Sequence, residues 1–242
     1  MLTGRAAGPL PSETYSVRDS KMVDLPVLHA VTTDQILLRS DFLARAIGVM
    51  QALGDRGAVH VRSRLIESVD LYEVTCRLIN LHVETGCWCV VNDRLDLALA
   101  AKAHGVQLTG HSMTIEDARK VAPKLKLGAS VHDVPEAVRA EAAGADWCVA
   151  GHVFETESHP GVPRRETMFI SDVVRSVVTP VIAIGGILPE HVPSLLHAGA
   201  YGIAAVRGIW EAKNSADAAV SYLSAYDGNG APTVSSRSGS AL

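Results

Sequence analysis

Eight short runs of β-branched and apolar residues alternate with eight longer, alanine-rich segments between residues 27 and 226. The predicted strands are Val27–Thr33, Ala58–Ser63, Trp88–Asp93, Gly105–Thr109, Lys126–Val131, Trp147–Phe154, Pro180–Gly185 and Gly202–Val206. The predicted helices are Phe42–Leu53, Val69–Glu84, Arg94–Ala103, Thr114–Val121, Val134–Ala142, Met168–Val177, Pro189–Ala198 and Ser215–Tyr226. Such alternation is typical of a parallel sheet with crossover helices, and eight repeats suit a closed barrel. We therefore predict an α/β fold, a single-domain TIM (β/α)8 barrel.

The boundaries of this barrel follow from composition. The chain has 242 residues, close to the size of one such barrel. Residues 1–24 are rich in Gly, Pro, Ser and charge without periodicity, which predicts a flexible arm before a barrel at 25–227. Residues 228–242 predict a disordered tail. A doubly wound open sheet is the alternative fold, but no GxGxxG motif follows the first strand.

Single residues at the ends of the predicted helices support the same division. Gly144 and Gly199 each stand in an Ala-Gly-Ala segment between a helix and a strand, which predicts helix-ending glycines. Asp93 and Thr114 stand where helix N-caps are needed.

Charge and hydropathy exclude several functional classes. The net charge is −4 with no basic stripe, so we expect no nucleic-acid partner. No apolar run reaches the roughly 18 residues of a membrane span, and the first 25 residues lack the apolar core of a signal peptide. The four cysteines form no CxxC pair and are expected to be buried and reduced. We predict a cytoplasmic protein.

Glycines follow the last two predicted strands. Gly185 and Gly186 end the seventh strand, and Arg207 and Gly208 follow the eighth. Catalytic and phosphate-binding groups of such barrels lie at the C-terminal ends of strands, and glycines there let backbone N–H groups approach an anion. These residues predict a phosphate site, although tight turns alone would also explain the glycines. The Arg207 side chain either reaches the phosphate or faces solvent.

Three other strand ends carry side chains suited to catalysis or ligand binding. Arg62 and Arg64 are two residues apart, so both could share one face and hold a second anion, or each could form a surface salt bridge. His132 closes the fifth strand, and its near-neutral side chain suits acid/base catalysis. His152 closes the sixth, and either a structural or a substrate-positioning role fits it.

The residues just described resemble the thiamin phosphate synthase superfamily, nearest to the thiazole tautomerases of the TenI type. The resemblance covers residues 26–225 and rests on Leu28–Thr33, Gly128–His132, Gly151–Thr156 and Pro180–Ile187. It implies a barrel that binds a thiazole phosphate. Synthases join this compound to a pyrimidine pyrophosphate with Mg²⁺, whereas tautomerases isomerise its carboxylate to the aromatic form without metal. The resemblance is compatible with a homodimer.

Three departures from the synthase pattern favour the tautomerase branch. Synthases carry Gln-x-Arg-x-Lys after strand two, where this chain has His60, Arg62 and Arg64. Their second metal-binding aspartate after strand four is missing from Gly110–Ser112, and their lysine-containing sixth loop is replaced by Glu155–His159. Two carboxylates beside a pyrophosphate would repel it. Asn92 and Asp93 do match the synthases, and a single carboxylate could hold Mg²⁺ only with help from substrate phosphates.

We therefore expect a thiazole tautomerase that uses no cofactor, in which His132 transfers the proton. The alternatives are a thiamin phosphate synthase, with Asp93 as a ligand of Mg²⁺, and a non-catalytic or regulatory barrel that binds thiazole phosphate. The predicted substrate-binding residues are Arg62, Arg64, Asn92, Ser130, His152, Thr156, Gly185, Gly186, Arg207 and Gly208.

Overall fold

The computed structural model describes residues 25–155 and 166–228 of the chain. The predicted arm, residues 1–24, lies outside this part, as does the predicted tail apart from Gly228. In these two ranges no helix is long and apolar enough to cross a bilayer.

Eight parallel strands close into a barrel in the order in which they occur along the chain, because β1 pairs with both β2 and β8. The strands are β1 Leu28–Val31, β2 Gly57–Val61, β3 Trp88–Asn92, β4 Gly105–Leu108, β5 Lys126–Val131, β6 Trp147–Gly151, β7 Val181–Ile184 and β8 Gly202–Ala205. Almost every strand residue is buried, as the near-continuous apolar runs predicted. The predicted (β/α)8 barrel is confirmed.

Helices follow every strand and form the outer layer. They are α1 Asp34–Leu37, α2 Phe42–Leu53, α3 Ser68–Thr85, α4 Leu95–Ala101, α5 Ile115–Val121, α6 Val134–Ala142, α7 Glu166–Ser176, α8 Val192–His197, α9 Arg207–Trp210 and α10 Ser215–Asp227. All eight predicted helices have a counterpart. A 3₁₀ turn at Pro189–His191 replaces the predicted first turn of α8.

The predicted helix ends are confirmed at three of four positions. Gly144 and Gly199 have φ values of 89° and 93°, the left-handed region that favours glycine. The hydroxyl of Thr114 accepts a hydrogen bond from the backbone N–H of Asp117 and caps α5. The prediction for Asp93 is wrong, because Arg94 is the residue before α4 and the Asp93 carboxylate binds elsewhere.

Below the mouth of the barrel, the indole of Trp147 packs over two glycines within a cluster of buried side chains. Trp147 is 1% exposed, and Gly105 and Gly128 lie on the neighbouring strands β4 and β5. A Cβ atom at Gly128 would lie 2.2 Å from Cε2 of the indole, and one at Gly105 would lie 2.8 Å from Cη2. The indole therefore occupies the space of two missing side chains.

An ion pair network ties β5 and α5 to the start of β6. Oδ2 of Asp146 accepts hydrogen bonds from the Arg119 guanidinium (2.7 Å) and the Leu127 backbone N–H (2.9 Å), and Oδ1 accepts from the Lys126 ammonium (3.0 Å). Burial alone would raise the pKa of the Asp146 carboxyl, but these three donors outweigh it and lower the pKa below its ordinary value. The charged carboxylate therefore stabilises the fold.

We expect Asp146→Asn to lower the free energy of unfolding by about 2 kcal/mol at pH 7, because hydrogen bonds to a charged group are lost. A folded-state pKa below the unfolded value means that this stabilisation is present above about pH 4 and is lost as the pH falls through the folded pKa. Urea unfolding at pH 7 and pH 3 should show the difference from wild type shrinking at acid pH. The exposed Asp172→Asn is the control, and a constant difference at both pH values would contradict the assignment.

Candidate functional site

A cavity of about 460 Å³ opens at the C-terminal mouth of the barrel. Its walls include nine of the residues predicted from the sequence, namely Arg62, Asn92, Ser130, His132, His152, Gly185, Gly186, Arg207 and Gly208. The structure brings these residues together, and their roles remain predictions. Thr156 lies outside the described residues.

The prediction that Arg62 and Arg64 share one face is wrong. Strand β2 ends at Val61, so the alternation of a strand no longer applies to either arginine. The Asp34 carboxylate accepts the backbone N–H groups of Arg64 and Leu65, both at 3.0 Å, and turns the chain outward. Arg62 therefore lines the cavity, while the Arg64 side chain is exposed and does not line it.

The glycines after β7 adopt backbone conformations that other residues rarely reach. Gly185 and Gly186 have φ values of 107° and 63°, and a Cβ at Gly185 would lie 2.5 Å from Cβ of His152. At Gly208 a Cβ would lie 2.1 Å from the hydroxyl oxygen of Tyr222, which donates to the Ile187 carbonyl. Larger residues would not fit at these positions, and the backbone is left open toward the cavity.

His132 stands at the rim of the cavity beside a carboxylate. Oε2 of Glu136 accepts the His132 backbone N–H at 2.6 Å and lies 3.1 Å from Nδ1 of the imidazole. The His132 side chain is 55% exposed. The carboxylate orients the ring.

Two chains of buried polar groups reach the floor of the cavity. In the first, the imidazoles of His29 and His60 meet at 2.8 Å, and His60 lies 3.2 Å from the Asn92 side chain. In the second, the Trp147 indole N–H donates to Gln107, whose amide donates to the Ser130 hydroxyl at 3.0 Å. His60 and Gln107 line the cavity but were missed in the sequence. The signal was present, since His60 and Gln107 each lie two residues before another residue of the cavity wall, Arg62 and Thr109 respectively.

Burial changes the ionisation of both histidines in the first chain. Burial lowers the pKa of His29 to about 4, although the Pro26 carbonyl, 2.9 Å from Nε2, opposes this effect. Burial, followed by repulsion from His29, also lowers the pKa of His60 well below its ordinary value. Both imidazoles are therefore neutral at pH 7.

The Asp93 carboxylate is hydrogen-bonded through one of its two oxygen atoms. Its Oδ1 atom accepts hydrogen bonds from the Thr109 backbone N–H (3.0 Å), the Thr109 hydroxyl (2.8 Å) and the Ser112 hydroxyl. In residues 25–155 and 166–228, no cluster of three or more His, Cys, Asp or Glu side chains could hold a metal ion. These contacts hold the loop after β4 closed.

Comparison with known proteins identifies the family. The sequence profile described as "Thiamine monophosphate synthase" matches residues 28–209. The chain belongs to this family. A thiamine-phosphate synthase of Pyrococcus abyssi is 40% identical over 167 residues, which are 69% of this chain and 81% of that protein. A second thiamine-phosphate synthase, from Pyrococcus horikoshii, is 40% identical over 66% of this chain and 78% of that protein.

Solved structures agree with the sequence relatives. A thiamine phosphate pyrophosphorylase from Pyrococcus furiosus superposes with a TM-score of 0.76 at 32% identity, and the match covers 86% of this chain and 98% of that one. A 3-hexulose-6-phosphate synthase, at 18% identity and a TM-score of 0.62, shares the fold alone.

These relatives correct the functional prediction. The expectation of a thiazole tautomerase, an isomerase, is wrong, since the relatives at 40% identity are named as synthases, which are transferases. The tautomerase expectation rested on a few loop positions, and the similarity of the whole barrel outweighs them. The prediction of the superfamily is confirmed.

Proposed function

We propose that this chain is a thiamine-phosphate synthase. In the reaction, the thiazole nitrogen of a thiazole phosphate forms a bond to the methylene carbon of a pyrimidine pyrophosphate. The bond from that carbon to the pyrophosphate oxygen breaks, and pyrophosphate leaves with its electron pair. The observation that carries the proposal is the 40% identity to a thiamine-phosphate synthase across 81% of that protein.

The glycines of the cavity wall suit the phosphate of the thiazole. Gly185, Gly186 and Gly208 leave the backbone open where a side chain would collide with its neighbours. Backbone N–H groups at such loops bind phosphate oxygens, and barrels of this kind place them after strands seven and eight. The cavity extends from these loops to its floor, where Asn92 and Ser130 offer hydrogen-bonding groups to the rest of the ligand.

Arg62 is suited to bind the pyrophosphate of the second substrate. Its guanidinium can form two parallel hydrogen bonds to phosphate oxygens, and such charge-assisted bonds are about twice as strong as neutral ones. Glu155 lines the same cavity and opposes an anion there. Asp93 would hold Mg²⁺ through its Oδ2 atom together with substrate phosphates, and we assign no step of the reaction to the metal.

A coupled assay tests the proposal. Purified protein is mixed with thiazole phosphate and pyrimidine pyrophosphate, with Mg²⁺ in one reaction and a chelator in a second, and pyrophosphate and thiamine phosphate are both measured. We expect the two products in equal amounts, and a known synthase serves as the positive control. Binding of thiazole phosphate without either product would contradict the proposal and favour a non-catalytic barrel.

A further inference from the structure

Four groups in a line connect the bottom of the barrel to the floor of the cavity. The Pro26 carbonyl lies 2.9 Å from Nε2 of His29, and Nδ1 of His29 lies 2.8 Å from Nε2 of His60. Nδ1 of His60 lies 3.2 Å from Oδ1 of Asn92. The three side chains are 2%, 1% and 6% exposed, so their polar atoms depend on one another for hydrogen bonds.

The Pro26 carbonyl at one end of this line determines which ring nitrogen of each histidine carries a proton. A carbonyl only accepts, so Nε2 of His29 carries the proton and donates to Pro26. A neutral His29 then presents a lone pair at Nδ1, so Nε2 of His60 carries the second proton. A neutral His60 is left with a lone pair at Nδ1.

The last contact decides how the Asn92 amide is turned. A lone pair on Nδ1 of His60 repels the Oδ1 atom that faces it. Either His60 takes a second proton, or the amide rotates by half a turn so that its NH₂ group donates to His60. Burial of His60 beside His29 opposes the second proton. The rotated amide is therefore favoured.

We propose that His29 and His60 are positioning residues that hold the Asn92 amide with its NH₂ group toward His60 and its carbonyl oxygen toward the ligand. Asn92 then selects a ligand that offers an N–H or O–H donor above the floor. The choice of thiamine phosphate as a ligand for the test rests on the proposed function. The protonation pattern itself does not depend on it.

The second polar chain shows the same principle. The Trp147 indole N–H is only a donor, so Gln107 turns its oxygen toward Trp147 and its NH₂ group toward Ser130. The hydrogen-bonding character of Ser130 is thus also set by a residue beneath it. The floor of the cavity is polarised from the barrel interior at two positions.

Nitrogen-15 NMR of the full chain with labelled histidine tests the proton positions directly. At pH 7 we expect His29 and His60 both neutral and both with the proton on Nε2. A second sample labelled at asparagine should show one Asn92 amide proton protected from exchange. A doubly protonated His60, or a proton on its Nδ1, would overturn the proposal. This measurement needs neither a variant nor enzymatic activity.

Substitutions at His60 test whether its hydrogen bonds to His29 and Asn92 are required, or only the volume of its side chain. Glutamine can donate to His29 through its NH₂ group and accept from Asn92 through its oxygen, so His60→Gln preserves the pattern, whereas His60→Leu removes it. We expect the affinity for thiamine phosphate to stay within about threefold in His60→Gln and to fall about tenfold in His60→Leu and His29→Phe. The exposed His197→Gln is the control.

The affinity for inorganic phosphate shows whether a variant has lost only the Asn92 contact or the structure of the whole site. Phosphate binds through the glycine loops, so its affinity should be unchanged in all four variants that fold. Equal affinities of His60→Leu and wild type for thiamine phosphate would overturn the proposal, as would equal losses in His60→Gln and His60→Leu. Failure of the proposed synthase activity would leave the NMR result intact, so the two failures are distinguishable.

Discussion

Arg62→Ala should lower kcat/KM for thiamine-phosphate synthesis by about 100-fold while the thermal unfolding midpoint changes by no more than about 2 °C. Arg62 lines the cavity, and a guanidinium that binds pyrophosphate supplies charge-assisted hydrogen bonds worth roughly 1.5–3 kcal/mol each. Each 1.4 kcal/mol corresponds to about a tenfold change. Because the side chain is only partly buried, its removal costs little packing. Steady-state kinetics and thermal denaturation measure the two quantities.

Arg64→Ala is the matched control, because the same charge is removed two residues away. The Asp34 carboxylate turns the backbone outward at Arg64, and the side chain is exposed. We expect kcat/KM to stay within about threefold of wild type, as is usual for an exposed charge. Equal losses in both variants would mean that the two arginines act together and that the assignment to Arg62 alone is wrong.

The barrel was predictable because its signals repeat along the chain. The predicted α6, Val134–Ala142, has the observed bounds, and so does α2, Phe42–Leu53. Both helices are long enough for an apolar face to recur over several turns. Helices α1 and α9 were missed because each has four residues, about one turn, which is too short for periodicity to appear.

The site was predictable only at the strand ends. The rule that barrel enzymes use these ends found Arg62, Asn92 and His132, all of which line the cavity. The same rule passed over His60 and Gln107, which lie one layer deeper and face the same cavity. Their position follows from the two-residue period of a strand. Their hydrogen-bond partners come from other strands, and one sequence does not show which strand residues will meet.

The functional prediction failed for a related reason. The loop after β4 lacks the second carboxylate of the synthase pattern, which favours a tautomerase when the sequence is considered alone. In the structure Ser112 occupies that loop and donates to the Asp93 carboxylate, so a polar contact remains where a ligand was expected. A missing motif residue shows that one contact has changed, and it does not identify the reaction.

Trp147→Ala is expected to lower the free energy of unfolding by about 4 kcal/mol, in the range of large-to-small substitutions in a core. The indole is 1% exposed and lies over Gly105 and Gly128. These two glycines have no side chains that could fill the space left by the indole. The variant also leaves the Gln107 side-chain oxygen without its N–H donor. Urea unfolding measures the loss, and Val178→Ala, at a residue 88% exposed, is the control.

A second substitution tests whether the volume lost with the indole causes the loss of stability in Trp147→Ala. Gly128→Leu alone should destabilise the barrel, because even a Cβ would lie 2.2 Å from the indole. In the Trp147→Ala background both indole contacts are gone, and the Gln107 side-chain oxygen, 2.3 Å from such a Cβ, no longer has the indole N–H to hold it in place. The double variant should therefore be more stable than the sum of the two single losses predicts. Additive losses would mean that the leucine does not enter the space of the indole.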